Sequence, residues 1–112
     1  MPHLILETPK TVDMSVVKDF IDQAEKHLAD RLPAGIENFK SRVYKYKYCA
    51  VANKNDQEII HLEVKVMSGR TEALLKQIAI ELKSLLEKIF AKNSKEYVFT
   101  VEVLELSGAY AK

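Results

Sequence analysis

Hydrophobic residues along this chain follow two periods, and the switches between them predict the elements. His3-Leu4-Ile5-Leu6-Glu7 is a short apolar run stopped by Thr8-Pro9, the signature of a mostly buried strand. Asp13 stands where a helix N-cap belongs, and Val16, Val17, Phe20, Ile21, Ala24 and Leu28 follow at spacings of three and four. The pattern predicts an amphipathic helix from about 13 to 31, ended by Leu32-Pro33-Ala34-Gly35. From Phe39 to Ala52 the residues favour a long strand, with Lys40, Arg42, Tyr44, Tyr46 and Tyr48 on one face and Ser41, Val43, Lys45, Lys47 and Cys49 on the other. Ala52 to Asp56 is a polar turn, after which Ile59 to Met67 resumes a strand pattern. Ser68-Gly69-Arg70-Thr71 interrupts it. Leu74, Ile78, Leu82, Leu85, Leu86 and Ile89 then recur with helical spacing, predicting a helix from about 71 to 91 that Asn93-Ser94 closes. Tyr97, Phe99, Val101 and Val103 alternate with Val98, Thr100, Glu102 and Leu104 in a last strand, and the tail from Ser107 to Lys112 reads as loose.

The order is β-α-β twice over. A right-handed crossover makes the two strands of each unit parallel and puts both helices on one face of a four-stranded mixed sheet, an α/β (α+β) fold. We expect one domain over 1–112 with pseudo-repeats at about 1–52 and 57–107, an echo visible where His3-Leu4 recurs as His61-Leu62. Apolar side chains on both faces of the last strand and much of the third predict that the bare side of the sheet packs against other subunits, for which a closed cyclic oligomer would serve. The same pattern also suits an α/β monomer with helices on one side, such as a ferredoxin-like domain.

Composition narrows the partners. Lys and Arg number 17 against 16 Asp and Glu, so a net charge of +1 offers no bulk attraction to nucleic acid or membrane. The tyrosine ladder Tyr44, Tyr46, Tyr48 among lysines resembles a nucleic-acid platform only faintly, and an interface or pocket wall suits it better. Cys49 is alone, which excludes an intramolecular disulfide and a structural zinc site and suits a reducing cytoplasm. No apolar run approaches the roughly 20 residues of a membrane helix, and the start lacks the basic and apolar regions of a signal peptide. We therefore expect a cytoplasmic protein without a nucleic-acid or membrane partner.

The first residues carry the candidate chemistry. Removal of Met1 would leave Pro2 with a secondary amine, whereas an amide nitrogen cannot act as a base. An α-amino group titrates at about 7.7–8.0, and burial beside cations lowers that value, so such a nitrogen is poised for general acid–base work near neutrality. Arg70 follows Gly69 at a helix start, where a cation opposes the helix dipole, although a solvent-exposed arginine is the commoner reading. Lys40 and Arg42 also suit ordinary strand-surface charges. His3 and His61 read as buried, hydrogen-bonded histidines, and Cys49 as a small packed residue.

Pro2-His3 opening a strand, Lys40-Ser41-Arg42-Val43 entering the second, and Ile60-His61-Leu62 leading to Ser68-Gly69-Arg70 together resemble the 5-carboxymethyl-2-hydroxymuconate isomerase branch of the tautomerase superfamily. The resemblance spans nearly the whole chain. It implies a homotrimer of double βαβ subunits whose sheets face inward as a barrel, with Pro2 as catalytic base, Arg70 as a catalytic cation, and Lys40 and Arg42 binding a small-molecule carboxylate substrate. The implied reaction is a 1,3-proton shift, enol to ketone, on an unsaturated 2-hydroxy carboxylate, with no metal or organic cofactor. Lys40 stands where the family typically has arginine, so that position keeps its charge and loses the planar fork that grips a carboxylate through two bonds. The alternative is a non-catalytic trimeric relative, a binding or structural protein. The state of the N-terminus discriminates the two, because a proline still capped by Met1 has no basic nitrogen.

Overall fold

The computed structural model describes residues 2–90 and 96–112. Strand β1 (His3–Pro9) leads into helix α1 (Met14–Arg31), a short 3-10 turn (Ile36–Asn38) and strand β2 (Lys40–Tyr46). Strand β3 (Glu58–Val66), helix α2 (Glu72–Phe90) and strand β4 (Tyr97–Glu105) repeat the pattern. The separation between the helix starts Met14 and Glu72 equals that between His3 and His61.

The sheet order is β2-β1-β3-β4, parallel within each unit and antiparallel where β1 meets β3. Each βαβ unit thus joins two parallel neighbours, as the order of elements predicts. Helix α1 starts where the carboxylate of Asp13 accepts the backbone N–H of Ser15, and α2 where the hydroxyl of Thr71 accepts that of Leu74. The predicted close of α2 at Asn93-Ser94 lies outside the described residues.

One face of the sheet makes the core. Leu4 and Leu6 of β1 and Ile60, Leu62, Val64 and Val66 of β3 pack beneath Val17, Phe20, Ala24 and Leu28 of α1 and Ile78, Leu82 and Leu86 of α2. The rings of Phe20, Phe90 and Phe99 join α1, α2 and β4 at centroid separations of 6.0 and 6.5 Å. Among the described residues the opposite face carries no helix, and its side chains are mixed: Ile5, Ile59, Val98 and Leu104 interleave with His3, Arg42, His61, Glu63, Lys65, Thr100 and Glu102. It is more polar than the hydrophobic pattern alone predicts.

Two elements differ from expectation. β2 ends at Tyr46 instead of running to Ala52, because its partner β1 ends opposite it at Pro9 and offers no further ladder. Beyond that point Ala52 and Asn53 take positive φ (54° and 64°) in a tight turn closed by a Val51–Lys54 bridge. The tail, expected to be loose, is folded: Leu106 N–H donates to Val66 O, and Tyr110 N–H to Ser107 O.

Candidate active site

Topology brings the candidates to one end of the sheet. β1 and β2 are parallel and both begin there, while β3 and β4 run the other way and both end there. Pro2 thus enters β1, Lys40 opens β2, Arg70 follows β3 into α2, and Tyr110 follows β4. The start of α2, with its positive dipole end, also lies at this rim.

Pro2 is buried, and its carbonyl accepts the backbone N–H of Lys40 at 3.0 Å, the first rung between β1 and β2. Lys40 lies opposite His3 and is exposed. Arg42 lies opposite Ile5 and is exposed, and its Nη1 reaches diagonally to His3 Nδ1 at 3.3 Å. On the other side of His3 stands Lys65, which also pairs with Glu63 at 3.5 Å. Three cationic side chains therefore surround the residue next to Pro2. The imidazole registers them: burial, then Arg42, then Lys40, with Lys65 adding to them, hold the His3 pKa below its ordinary 6.5.

Arg70 stands at the other side of the rim. Gly69 takes φ +113°, a conformation that costs a side-chain-bearing residue strain, and its N–H donates to the Glu105 carboxylate at 2.9 Å. That turn delivers the half-buried Arg70 into a cleft of about 670 Å³ between α2 and β4, lined also by Lys76, Glu102 and Glu105. Its Nη1 donates to Met67 O at 2.9 Å. Within one chain, then, Pro2, Lys40 and Arg42 cluster at the β1–β2 side of the rim, and Arg70 lines a cleft on the β4 side.

Two residues at this rim escaped the sequence reading. Lys65 was hidden among ordinary strand charges, and its position opposite His3 follows only from the antiparallel register. Tyr110 donates or accepts at His3 Nε2 over 2.8 Å, with the rings edge-on at 5.7 Å. A lone aromatic in a tail otherwise of small and polar residues was the available signal. His3 and His61 are hydrogen-bonded as expected, His61 to the Thr100 hydroxyl at 2.7 Å, but both are half-buried on the uncovered face instead of enclosed. Among the described residues no group of three or more His, Cys, Asp or Glu is placed to hold a metal ion.

The family model for 5-carboxymethyl-2-hydroxymuconate isomerase matches residues 2–111. The chain belongs to that isomerase family. A search of curated protein sequences finds no match. Among solved structures, a 5-carboxymethyl-2-hydroxymuconate isomerase from Deinococcus radiodurans R1 superposes with a TM-score of 0.84 at 23% identity, over 99% of this chain and 88% of that one. A macrophage migration inhibitory factor-like protein from Entamoeba histolytica gives 0.75 at 14% identity, over 99% and 94%. A fused 4-OT wild-type symmetric trimer gives 0.73 at 10%, over 92% and 87%. At such identities the superpositions carry the fold, which is that of the tautomerase superfamily. Family membership makes the protein a tautomerase-superfamily isomerase, and no helix among the described residues is long and apolar enough to cross a membrane.

Proposed function

We propose that this family member is a cytoplasmic homotrimeric tautomerase in which Pro2, freed of Met1, is the base for a 1,3-proton shift on an unsaturated 2-hydroxy dicarboxylate of the 5-carboxymethyl-2-hydroxymuconate type. The observation that supports this reading best is the cationic surround of His3, the neighbour of Pro2. Cations that disfavour an imidazolium at His3 also disfavour a proton on a neighbouring amine, which is the property a base at Pro2 needs.

In the proposed reaction the Pro2 nitrogen takes the proton from the enol hydroxyl. The electron pair of that O–H bond forms the carbonyl, and the pair of the adjacent carbon–carbon double bond takes the proton that the prolinium returns to carbon. Reactant and product hold the same atoms and electrons, so the step needs no metal or organic cofactor. Lys40 and Arg42 bind the carboxylates, and in the proposed trimer an Arg70 brought to this rim from the β4 side of a neighbouring subunit balances the negative charge that gathers on the 2-oxo oxygen, the role in which preorganised donors contribute about 2.7–4 kcal/mol.

The test is ketonisation of a 2-hydroxymuconate-type dienol, followed by ultraviolet absorbance on protein whose N-terminal mass shows Met1 removed. Pro2→Ala is expected to lower kcat by about 10²–10⁴ with the oligomer intact. Unchanged turnover in that variant would falsify the base assignment.

A further inference from the structure

The tail crosses the active-site rim. After Leu106 extends the β3–β4 ladder, Ser107 folds the chain back: its hydroxyl accepts Ala109 N–H at 3.0 Å and its carbonyl accepts Tyr110 N–H at 3.0 Å. Tyr110 is thereby carried from the β4 edge across to β1, where its hydroxyl meets His3 Nε2.

The contacts of His3 fix its tautomer. A guanidinium has only N–H donors, so the Arg42 contact requires an unprotonated Nδ1. The proton of the neutral ring then sits on Nε2 and is donated to Tyr110 Oη, which leaves the phenolic O–H free. The exposed Arg42 guanidinium is repelled by Lys40 and Lys65, and within one subunit the His3 ring is the acceptor that holds it.

We propose that Tyr110 and His3 are positioning residues: the tail hydroxyl orients the imidazole, and the imidazole holds Arg42 in place to receive a substrate carboxylate. This rests on the reading of Arg42 as a carboxylate-binding residue. Preordering the guanidinium removes from binding the entropy loss of fixing a long side chain, so the effect falls on affinity and not on the proton transfer. Protonation of His3 would put an N–H on Nδ1 facing Arg42 and break the tether. Among the described residues the groups facing His3 are Lys40 and Arg42 from β2, Lys65 from β3 and the Tyr110 hydroxyl from the tail, and each of these charges favours the neutral ring.

The experiment combines Tyr110→Phe with two readouts, ¹⁵N imidazole spectra of His3 and titration with adipate, an unreactive dicarboxylate. We expect wild-type His3 in the Nε2–H tautomer and a mixture of tautomers in the variant. The adipate Kd and the substrate KM should both rise roughly fivefold while kcat stays within twofold. Should wild-type His3 carry its proton on Nδ1, or Tyr110→Phe leave tautomer and adipate affinity unchanged, the tether is disproved. A fall in kcat without a change in adipate affinity would also overturn it. Because adipate binding needs no base, a failure of Pro2 as the base leaves this outcome readable.

Discussion

Tyr46 shows how much one hydroxyl can settle. β1 pairs with β3 only as far as Glu7–His61, and Ile59, two residues further along that register, faces the end of β1 where Pro9 has no N–H to give. The Tyr46 hydroxyl takes over both duties, accepting Ile59 N–H and donating to Ile59 O, each at 2.9 Å. Tyr46→Phe keeps the ring and leaves two half-buried backbone groups unpaired, a loss of about 1–3 kcal/mol. Urea denaturation should show the midpoint falling with the slope unchanged. The alternation that put Tyr44, Tyr46 and Tyr48 on one face was legible from sequence. What separates the three was not: Tyr46 is tied to β3, Tyr48 lies outside any strand, and both facts depend on where β1 ends. The same holds for Arg42, readable as a cation on a strand, whose contact with His3 depends on parallel pairing and a diagonal reach.

The helices were the most legible elements, because a repeat of three and four over five turns leaves little ambiguity and Asp13 marks a start. What the repeat does not reveal is how the helices meet each other. Along their mutual seam Glu81 of α2 accepts from His27 at 2.7 Å and from Arg31 at 3.1 Å, both on α1. Gln77 adds a third contact at 3.3 Å. The hydrogen bond from His27 is the main cause of a Glu81 pKa below the ordinary 4.5. Burial opposes it, and Gln77 and Arg31 reinforce it. A carboxylate depressed in the folded state contributes stability above its unfolded pKa and loses that contribution as pH falls through the folded value. Glu81→Gln should therefore lower the thermal midpoint at neutral pH and flatten its decline between about pH 5 and pH 3. Equal declines in variant and wild type would remove Glu81 from the acid sensitivity of the helix pair.

At the scale of the molecule, one layer is finished and one is not. The radius of gyration is 14.4 Å, against about 13 Å for a compact chain of this length, and the long dimension of 40 Å exceeds the others, 27 and 25 Å. Among the described residues, both edges of the sheet, β2 and β4, lack a neighbouring strand. Unpaired edges invite another chain, and here they differ in sign. Across the uncovered face the row through Ile5 runs Arg42, Ile5, Glu63, Glu102, so a cation stands at the β2 rim and two carboxylates lie toward the β4 rim. Glu63 and Glu102 are directly opposed on adjacent strands, an arrangement that costs stability unless a cation comes near, and among the described residues Lys65 pairs with Glu63 and not with Glu102. A head-to-tail ring would bring the β2 rim of one subunit to the β4 rim of the next and supply that cation, which is the arrangement the proposed trimer needs. Light scattering should then give three times the 12.8 kDa chain mass. Glu102→Lys should raise the dissociation constant of the assembly by about tenfold and make it less sensitive to salt, while Lys83→Glu on the outer face of α2 should leave it unchanged. Assembly that ignores the charge at position 102 would mean that the apolar positions Ile5, Ile59, Val98 and Leu104 hold the subunits together, and that the opposed carboxylates face open water.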